Sequence, residues 1–280
     1  MKACLLEERK VSRWGLKEVG ITYVVSGSFN LVNQKDWESV VLGKNIFLSQ
    51  AYLKAIDLGH PASLSFVIFY KENDPVGVAV FHEIYFISGE LKSHVNSKGG
   101  ADIVGKTFKN EASRYSVLVC GNPHCTGEHG FKFIDSIQPE VYMQALCAVA
   151  SSLAYRMRAK NKRATGIIVK DFYPKNYNAL NELKKCGFHV FSVDQQNRML
   201  IPPRWRNFED YTSDLNTKFR TKVKSVMAKS SELNVLELSL EDMQRNSQLL
   251  FSLYRNVYDR ADFAMEPMTM DFFLTLKPAH

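Results

Sequence analysis

The stretch Ser116–Ile137, SVLVCGNPHCTGEHGFKFIDSI, limits what this chain can fold into more than any other. An apolar run over Ser116–Cys120 stops at Gly121-Asn122-Pro123, and Gly127 and Gly130 then bracket Glu128 and His129. In Pro139–Lys160, Tyr142, Leu146, Val149, Leu153 and Met157 recur at helical spacing, which predicts an amphipathic core helix. Thr165–Val169 reads as a short buried strand. A long helix between two strands has to return the chain over one sheet face. Ser116–Cys120 and Thr165–Val169 are therefore expected to be adjacent, parallel and central, splaying apart at their carboxyl ends. Strand, glycine-containing loop and helix start together can hold an anion: glycines let backbone N–H groups approach it, and the helix start adds partial positive charge. Neither Walker nor Rossmann spacing is present, and a surface loop built from turn residues is the alternative reading.

The rest of the chain supplies more strands and helices. Ile21–Val25 reads as a first strand, and Asp36 as the cap of a short helix. Gln50–Leu58 carries a helical stripe ended by Gly59-His60-Pro61. Leu64–Tyr70 and Pro75–His82 form a hairpin pattern around the polar turn 71–74, and Gly89–Ser113 reads as a long loop. Asn178–Lys185 is a helix closed by Gly187, followed by strands over Phe188–Val193 and Asn197–Ile201. Pro202-Pro203 marks a boundary. Beyond it come a basic amphipathic helix, Phe208–Lys229, a strand over Val235–Leu238, a capping box at Ser239 and Asp242 opening a helix through Tyr258, and a short helix, Met270–Leu276.

Composition narrows the partners. A formal net charge of +7 over 280 residues favours anionic ones: a phosphate-bearing cofactor, RNA or an anionic membrane surface. Five scattered cysteines and the lack of a signal-peptide apolar region fit a reduced, cytoplasmic protein. No uncharged apolar run is long enough for a membrane span.

The order of these elements resembles the GNAT N-acyltransferase fold, with NALNELKKCGFHVFSV at 178–193 similar to its late helix and Gly-Phe ending. More specifically, NIFLSQAYLKAI (45–56), VCGNPHCTGEHGF (119–131), IIVKDF (167–172) and the segment 205–233 resemble the FemAB-like, or peptidoglycan biosynthesis, branch of bacterial GNAT proteins. The resemblance implies an α+β fold of three layers, α/β/α, with a GNAT-like mixed central sheet flanked by helices plus a mostly helical C-terminal segment. It further implies a GNAT-like domain over 1–204, a linking basic helix over 205–233 and the opening of a second GNAT-like unit over 234–280. The usual acyl-CoA signature, Gln/Arg-x-x-Gly-x-Gly/Ala, is absent after Cys120, where the loop is longer and carries Pro123.

Acyl transfer to an amine needs a base for the ammonium proton and donors for the developing oxyanion. Glu128 and His129, between glycines just past a strand, are candidate bases or loop polars that fix the turn. Asp171, just past Thr165–Val169, is a third candidate, or a turn residue before Pro174. The resemblance places acetyl-CoA or another acyl-CoA beside Val119, Cys120, Gly121, Asn122, Thr126 and Gly127, with pantetheine amides pairing to open strand edges. Arg220 and Lys222 would bind substrate if their helix borders a cleft; otherwise they form a solvated basic face. Cys120, His124, Cys125 and His129 have C-x3-H-C-x3-H spacing, which differs from common zinc patterns, and no metal is expected.

Two functions follow as expectations. One is an acyltransferase moving an acyl or aminoacyl group from a CoA thioester or aminoacyl-tRNA to a small-molecule or cell-wall-precursor amine. The other is a non-catalytic module that binds RNA or a membrane surface through 208–229. The tail stripes Leu249, Leu250, Leu253, Val257 and Phe272, Phe273, Leu276 have no second sheet to cover, so they are expected to be exposed or to support self-association.

Overall fold

Alternating apolar residues bury both faces of the hairpin that leads the sheet. In β3 (Ser63–Lys71), Leu64, Phe66 and Ile68 enter one core cluster, whereas Val67 and Phe69 enter the other. β4 (Asp74–Ile87) pairs with it around a turn in which Glu72 adopts φ 57°. The protein, seen as a computed structural model, is described over residues 2–7, 20–59, 63–87, 114–159, 164–192, 199–261 and 267–277. The expected loop 89–113 and residues 193, 197 and 198 of the expected closing strands lie outside these residues.

The other strands are β1 (Lys2–Glu7), β2 (Ile21–Ser26), β5 (Arg114–Cys120), β6 (Phe131–Phe133), β7 (Gly166–Phe172) and β8 (His189–Ser192). They form one eight-stranded sheet in the order β2-β3-β4-β5-β7-β1-β8, with β6 pairing to β4 off this path. β5 and β7 are adjacent and parallel, from Val117↔Gly166 to Cys120↔Val169, as the crossover argument expects. The remaining pairs are antiparallel, so the sheet is mixed.

The early helices are α1 (Gln34–Val41), α2 (Gln50–Gly59) and α3 (Pro139–Ala159). α1 is capped by Asn33, whose Oδ1 accepts from the Asp36 N–H; Asp36, the expected cap, lies inside the first turn. α3 covers one sheet face with Met143, Leu146, Val149 and Leu153, and α1 and α2 cover the other with Trp37, Val40, Leu53 and Ile56. Helices on both faces of a mixed sheet make an α+β architecture. α4 (Leu180–Lys185) follows a 3-10 turn at Pro174–Ala179 and ends as expected at Gly187, φ 86°.

Residues 1–195 and 246–280 form one compact unit, and residues 196–245 form another. In the second unit the expected basic helix is two helices, α5 (Phe208–Asp214) and α6 (Thr217–Lys229). Leu215 ends the first by turning extended, and Asn216 caps the second, its side chain accepting from the Phe219 N–H. α7 (Leu240–Arg245) closes the unit. The expected strand at Val235–Leu238 is irregular, as are Met199–Ile201 of the expected closing strand. A strand persists only where a neighbour takes its backbone hydrogen bonds, and no pairing to these residues is found among the described ones.

The tail corrects the expectation of exposure in part. α8 (Ser247–Tyr258) begins after a break at Asn246, and it leaves Leu249, Leu253 and Val257 exposed. α9 (Met270–Leu276), however, docks on α2 of the same unit. The Thr269 N–H donates to the Gly59 carbonyl at 2.9 Å, and a Cβ on Gly59 would collide with the Phe272 backbone. Phe272 is buried beside Tyr52, with ring centroids 5.8 Å apart, and Phe273 and Leu276 pack against the same cluster. The physical reason is that the first unit's α1/α2 layer offers an apolar groove at Gly59, where the missing side chain admits a second backbone.

Candidate functional site

β5 is paired on both edges, to β4 from Arg114 and to β7 from Val117, until it stops at Cys120. No strand edge is therefore open along Val117–Cys120, which corrects the expected pantetheine pairing there. The opening begins only past Cys120. Gly121 turns at φ 146°, a value that side-chain-bearing residues rarely adopt, and Lys170 fills the space where its Cβ would stand. The loop 121–130 then folds back until Gly130 touches the backbone of Gly121, so closely that a Cβ would lie 2.6 Å from the Gly121 nitrogen. From there the Gly130 carbonyl accepts the Val80 N–H at 2.8 Å, and β6 continues along β4. The loop thus occupies the gap beyond the end of β5, next to the end of β7.

Side chains from inside the loop and from around it clamp it. Lys170 Nζ donates to the carbonyls of Asn122 (2.7 Å) and Cys125 (2.9 Å) and pairs with Asp171 Oδ2 at 2.8 Å. That same Oδ2 accepts the Gly127 N–H at 3.2 Å. Asp171 is buried and left-handed, φ 66°, a conformation that non-glycine residues keep only when the surroundings enforce it. Glu128 turns toward the end of β7: Oε1 accepts the Tyr173 N–H at 2.6 Å, and Asn176 Nδ2 donates to Oε1 at 2.8 Å and Oε2 at 2.7 Å. From the other layer, Asn45 Nδ2 donates to the Glu128 carbonyl at 3.4 Å. Asn122 fixes the loop from inside: its Oδ1 accepts the His124 N–H at 2.8 Å, and its Nδ2 donates to the Tyr52 hydroxyl on α2 at 2.7 Å.

His129 differs from the two carboxylates. Its ring lies 4.3 Å from that of Phe47, and the ring also blocks any Cβ on Gly127. Burial is the largest influence and lowers its pKa below the usual imidazole value, against a backbone hydrogen bond with Thr126 that raises it. Nδ1 is buried with no hydrogen-bond partner. His129 is therefore neutral near pH 7, and Nδ1 is left to accept a proton. Cys120 is buried with its thiol against the Gly130 carbonyl at 3.7 Å, and burial raises its pKa. Burial pushes Cys125 up to about 11 and Tyr52 up to about 12. Among the described residues no group of three or more His, Cys, Asp or Glu is placed to hold a metal.

The sequence candidates thus separate. Glu128, His129, Gly121, Asn122, Thr126 and Gly127 lie in one loop, which meets Asp171 near the end of β7. Val119 and Cys120 contribute backbone to the ladder beneath it, opposite Ile168 and Val169. Arg220 and Lys222 belong to the second unit. There the Arg220 guanidinium donates to the carbonyls of Ser213 and Leu215, both at 2.8 Å, closing the C-terminal end of α5, and Lys222 lies over the Phe219 ring. Sequence reasoning missed Lys170, Asn176, Asn45, Phe47 and Tyr52. The signal for Lys170 is its place beside Asp171 at the strand end; Asn45 and Tyr52 sit at fixed places in NIFLSQAYLKAI.

A cavity of about 360 Å³ adjoins the clamp, lined by Asn45, Glu128, Phe131, Tyr142 and Asn176 and reaching Pro139 at the start of α3. Glu128, Asp135 and Glu140 put carboxylates near this helix start, which weakens its attraction for a diphosphate. The N–H groups of His124, Gly127 and His129 are also engaged within the clamp. No family model matches the chain, and neither a curated protein nor a solved structure matches it.

Proposed function

We propose that the first unit is an acyl-transfer domain of GNAT type, with His129 as the base. The observation that carries this reading is the neutral, half-buried His129 with a buried, unpartnered Nδ1, held on a glycine loop where two parallel strands joined by a long crossover helix end. In this reading the acceptor amine attacks the carbonyl carbon of a CoA thioester or aminoacyl ester. The ammonium proton passes to His129 Nδ1, and the imidazolium so formed returns it to the departing thiolate or alkoxide. Glu128 and Asp171 are positioning residues: their carboxylates hold the loop against β7 rather than face the acceptor. Because the loop occupies the gap past Cys120, the acyl donor enters by displacing part of it. Melting of the protein with and without acetyl-CoA tests this. A rise in melting temperature is expected by mass action, and transfer should fall at least about 100-fold in His129→Ala, the scale of a lost general base. No shift with any CoA thioester or aminoacyl ester would overturn the reading.

A second reading is favoured by α6, which buries none of its residues and exposes Lys218, Lys222 and Lys224. In it, the second unit binds RNA through phosphate contacts. RNA affinity that falls steeply with salt, together with no response to CoA thioesters, is the result expected from it.

A further inference from the structure

Glu128 carries a charge that the clamp does not balance. Its hydrogen bonds come from neutral donors, the Tyr173 N–H and the Asn176 amide. It takes no part in the ion pairs found among the described residues. Each carboxylate oxygen can accept two hydrogen bonds, and Oε2 is given one, from Asn176 Nδ2. A half-buried anion with spare acceptor capacity is stabilised by a cation that also donates hydrogen bonds.

The cavity of about 360 Å³ beside Glu128 has an aromatic wall. Alternation along β6 puts Phe131 and Phe133 on one side of the strand, where both pack against the core cluster under α3. Tyr142, in the first turn of α3, stacks on Phe133 with ring centroids 5.0 Å apart and planes 19° apart, and tilts against Phe131 at 6.0 Å. Phe133 is buried, while Phe131 and Tyr142 stay half-buried and line the cavity. The Glu128 charge is felt at this wall: burial is the largest influence raising the Tyr142 pKa, and the Glu128 carboxylate adds to it.

The other charges leave this balance negative. Lys132 and Asp135 also line the cavity, but they pair with each other at 3.7 Å. The partial positive charge at the start of α3 is offset by Glu140 in its first turn. A simple anion is therefore repelled by Glu128. A metal ion needs several ligating side chains, and among the described residues no group of three or more His, Cys, Asp or Glu is placed to supply them. An organic ammonium group needs only a carboxylate and ring faces, both of which attract it. The volume falls at the small end of the range for small-molecule sites, about 300–1,000 Å³.

We propose that this cavity binds a small primary amine as its ammonium ion, with the cation on Glu128 and an apolar arm against Phe131 and Tyr142. The proposal is independent of acyl transfer at His129. Three matched probes test it on the full chain by calorimetric titration: phenethylamine, 2-phenylethanol, which replaces the ammonium by a neutral hydroxyl, and 3-phenylpropionate, which replaces it by an anion. Phenethylamine is expected to bind at least about tenfold more tightly than 2-phenylethanol, with 3-phenylpropionate weakest. Glu128→Gln keeps the side-chain shape and should reduce phenethylamine to the affinity of 2-phenylethanol while leaving the alcohol unchanged. Gln138 is exposed and lines the same cavity, so Gln138→Trp should obstruct it, weakening all three probes without changing the melting temperature of the free protein. The proposal is overturned if no probe binds, if the alcohol or the anion binds as tightly as the amine, if the preference for the amine survives Glu128→Gln, or if Gln138→Trp leaves every affinity unchanged. Should Glu128→Gln fail to fold or lose the alcohol as well, the order of the probes on the wild type and their response to Gln138→Trp decide.

Discussion

The two compact units contain helices with similar apolar stripes and opposite burial. In the first, α1 and α2 bury Trp37, Val40, Leu53 and Ile56 against the sheet, and α9 buries Phe272 against α2. In the second, α5, α6 and α7 bury no residue, and Phe219 and Val226 are 50% and 63% exposed. What orders the second unit is polar. Asn207 and Asn216 cap its helices, and Asp214 accepts from Trp205 Nε1 at 2.6 Å and from Arg204 Nε at 2.8 Å, bonds that hold its carboxyl below the usual carboxylate range. An amphipathic stripe becomes core only when a complementary face is present, because most helix stability comes from packing rather than propensity.

The largest effect is expected at Trp37, which is fully buried and donates Nε1 to the Leu48 carbonyl at 2.9 Å. Trp37→Ala should destabilise the first unit by about 3–5 kcal/mol in urea unfolding. A loss below about 1 kcal/mol would mean that its layer is as loose as the second unit. Next is Gly59→Ala. The added methyl meets the Phe272 backbone rather than a flexible tip, so about 1–3 kcal/mol is expected, the scale of overpacking. Removing residues 246–280 should also destabilise the first unit, because it uncovers the apolar groove that Phe272 fills beside α2. An unchanged midpoint after that deletion would break the comparison.

The clamp gives a smaller effect with its own readout. Glu128→Gln removes the charge from three hydrogen bonds to Tyr173 and Asn176, which should cost about 1–2 kcal/mol. Because the Cys125 thiol is half-buried in the same loop, its labelling by a thiol reagent should speed up. An unchanged labelling rate would mean that Glu128 does not hold the loop.

Much of this was legible from residue patterns. The parallel pair β5 and β7 followed from one long helix stripe between two apolar runs, and the Gly187 ending followed from backbone chemistry. The failures share a cause. Val235–Leu238 has the composition of a strand, but composition cannot supply the partner that takes its hydrogen bonds. The site was half legible: chain-local signals gathered Glu128, His129 and Asp171, yet their roles depend on Lys170, Asn176 and Tyr52, which reach the loop from other elements.

A weaker effect is expected from pH. The folded pKa of His129 is lowered by burial, so the unfolded chain binds more protons between that value and the usual imidazole pKa of about 6.5. Stability from this group is complete above about 6.5 and is lost as pH falls toward the folded pKa. Urea midpoints measured from pH 7.5 down to 5 should decline in the wild type and decline less in His129→Gln. Equal slopes would place the imidazole in a wetter setting than its packing on Phe47 implies.

The smallest effect belongs to the second unit. Phe219 begins the stripe of α6, half exposed, with the Lys222 ammonium 6.0 Å from its ring centroid. Phe219→Ala removes little buried area, and an exposed cation–ring contact contributes only about 0.5–1 kcal/mol. The midpoint of the main unfolding transition should therefore move by less than about 0.5 kcal/mol, the range of ordinary surface substitutions. The measurement is informative because concentration can be varied. If the stripe pairs with a second copy of the chain, Phe219→Ala lowers the midpoint more at high protein concentration than at low, since association stabilises by mass action. A midpoint shift comparable to that of Trp37→Ala, at any concentration, would show that the exposed stripe is a buried one in solution, and the contrast between the two units would disappear.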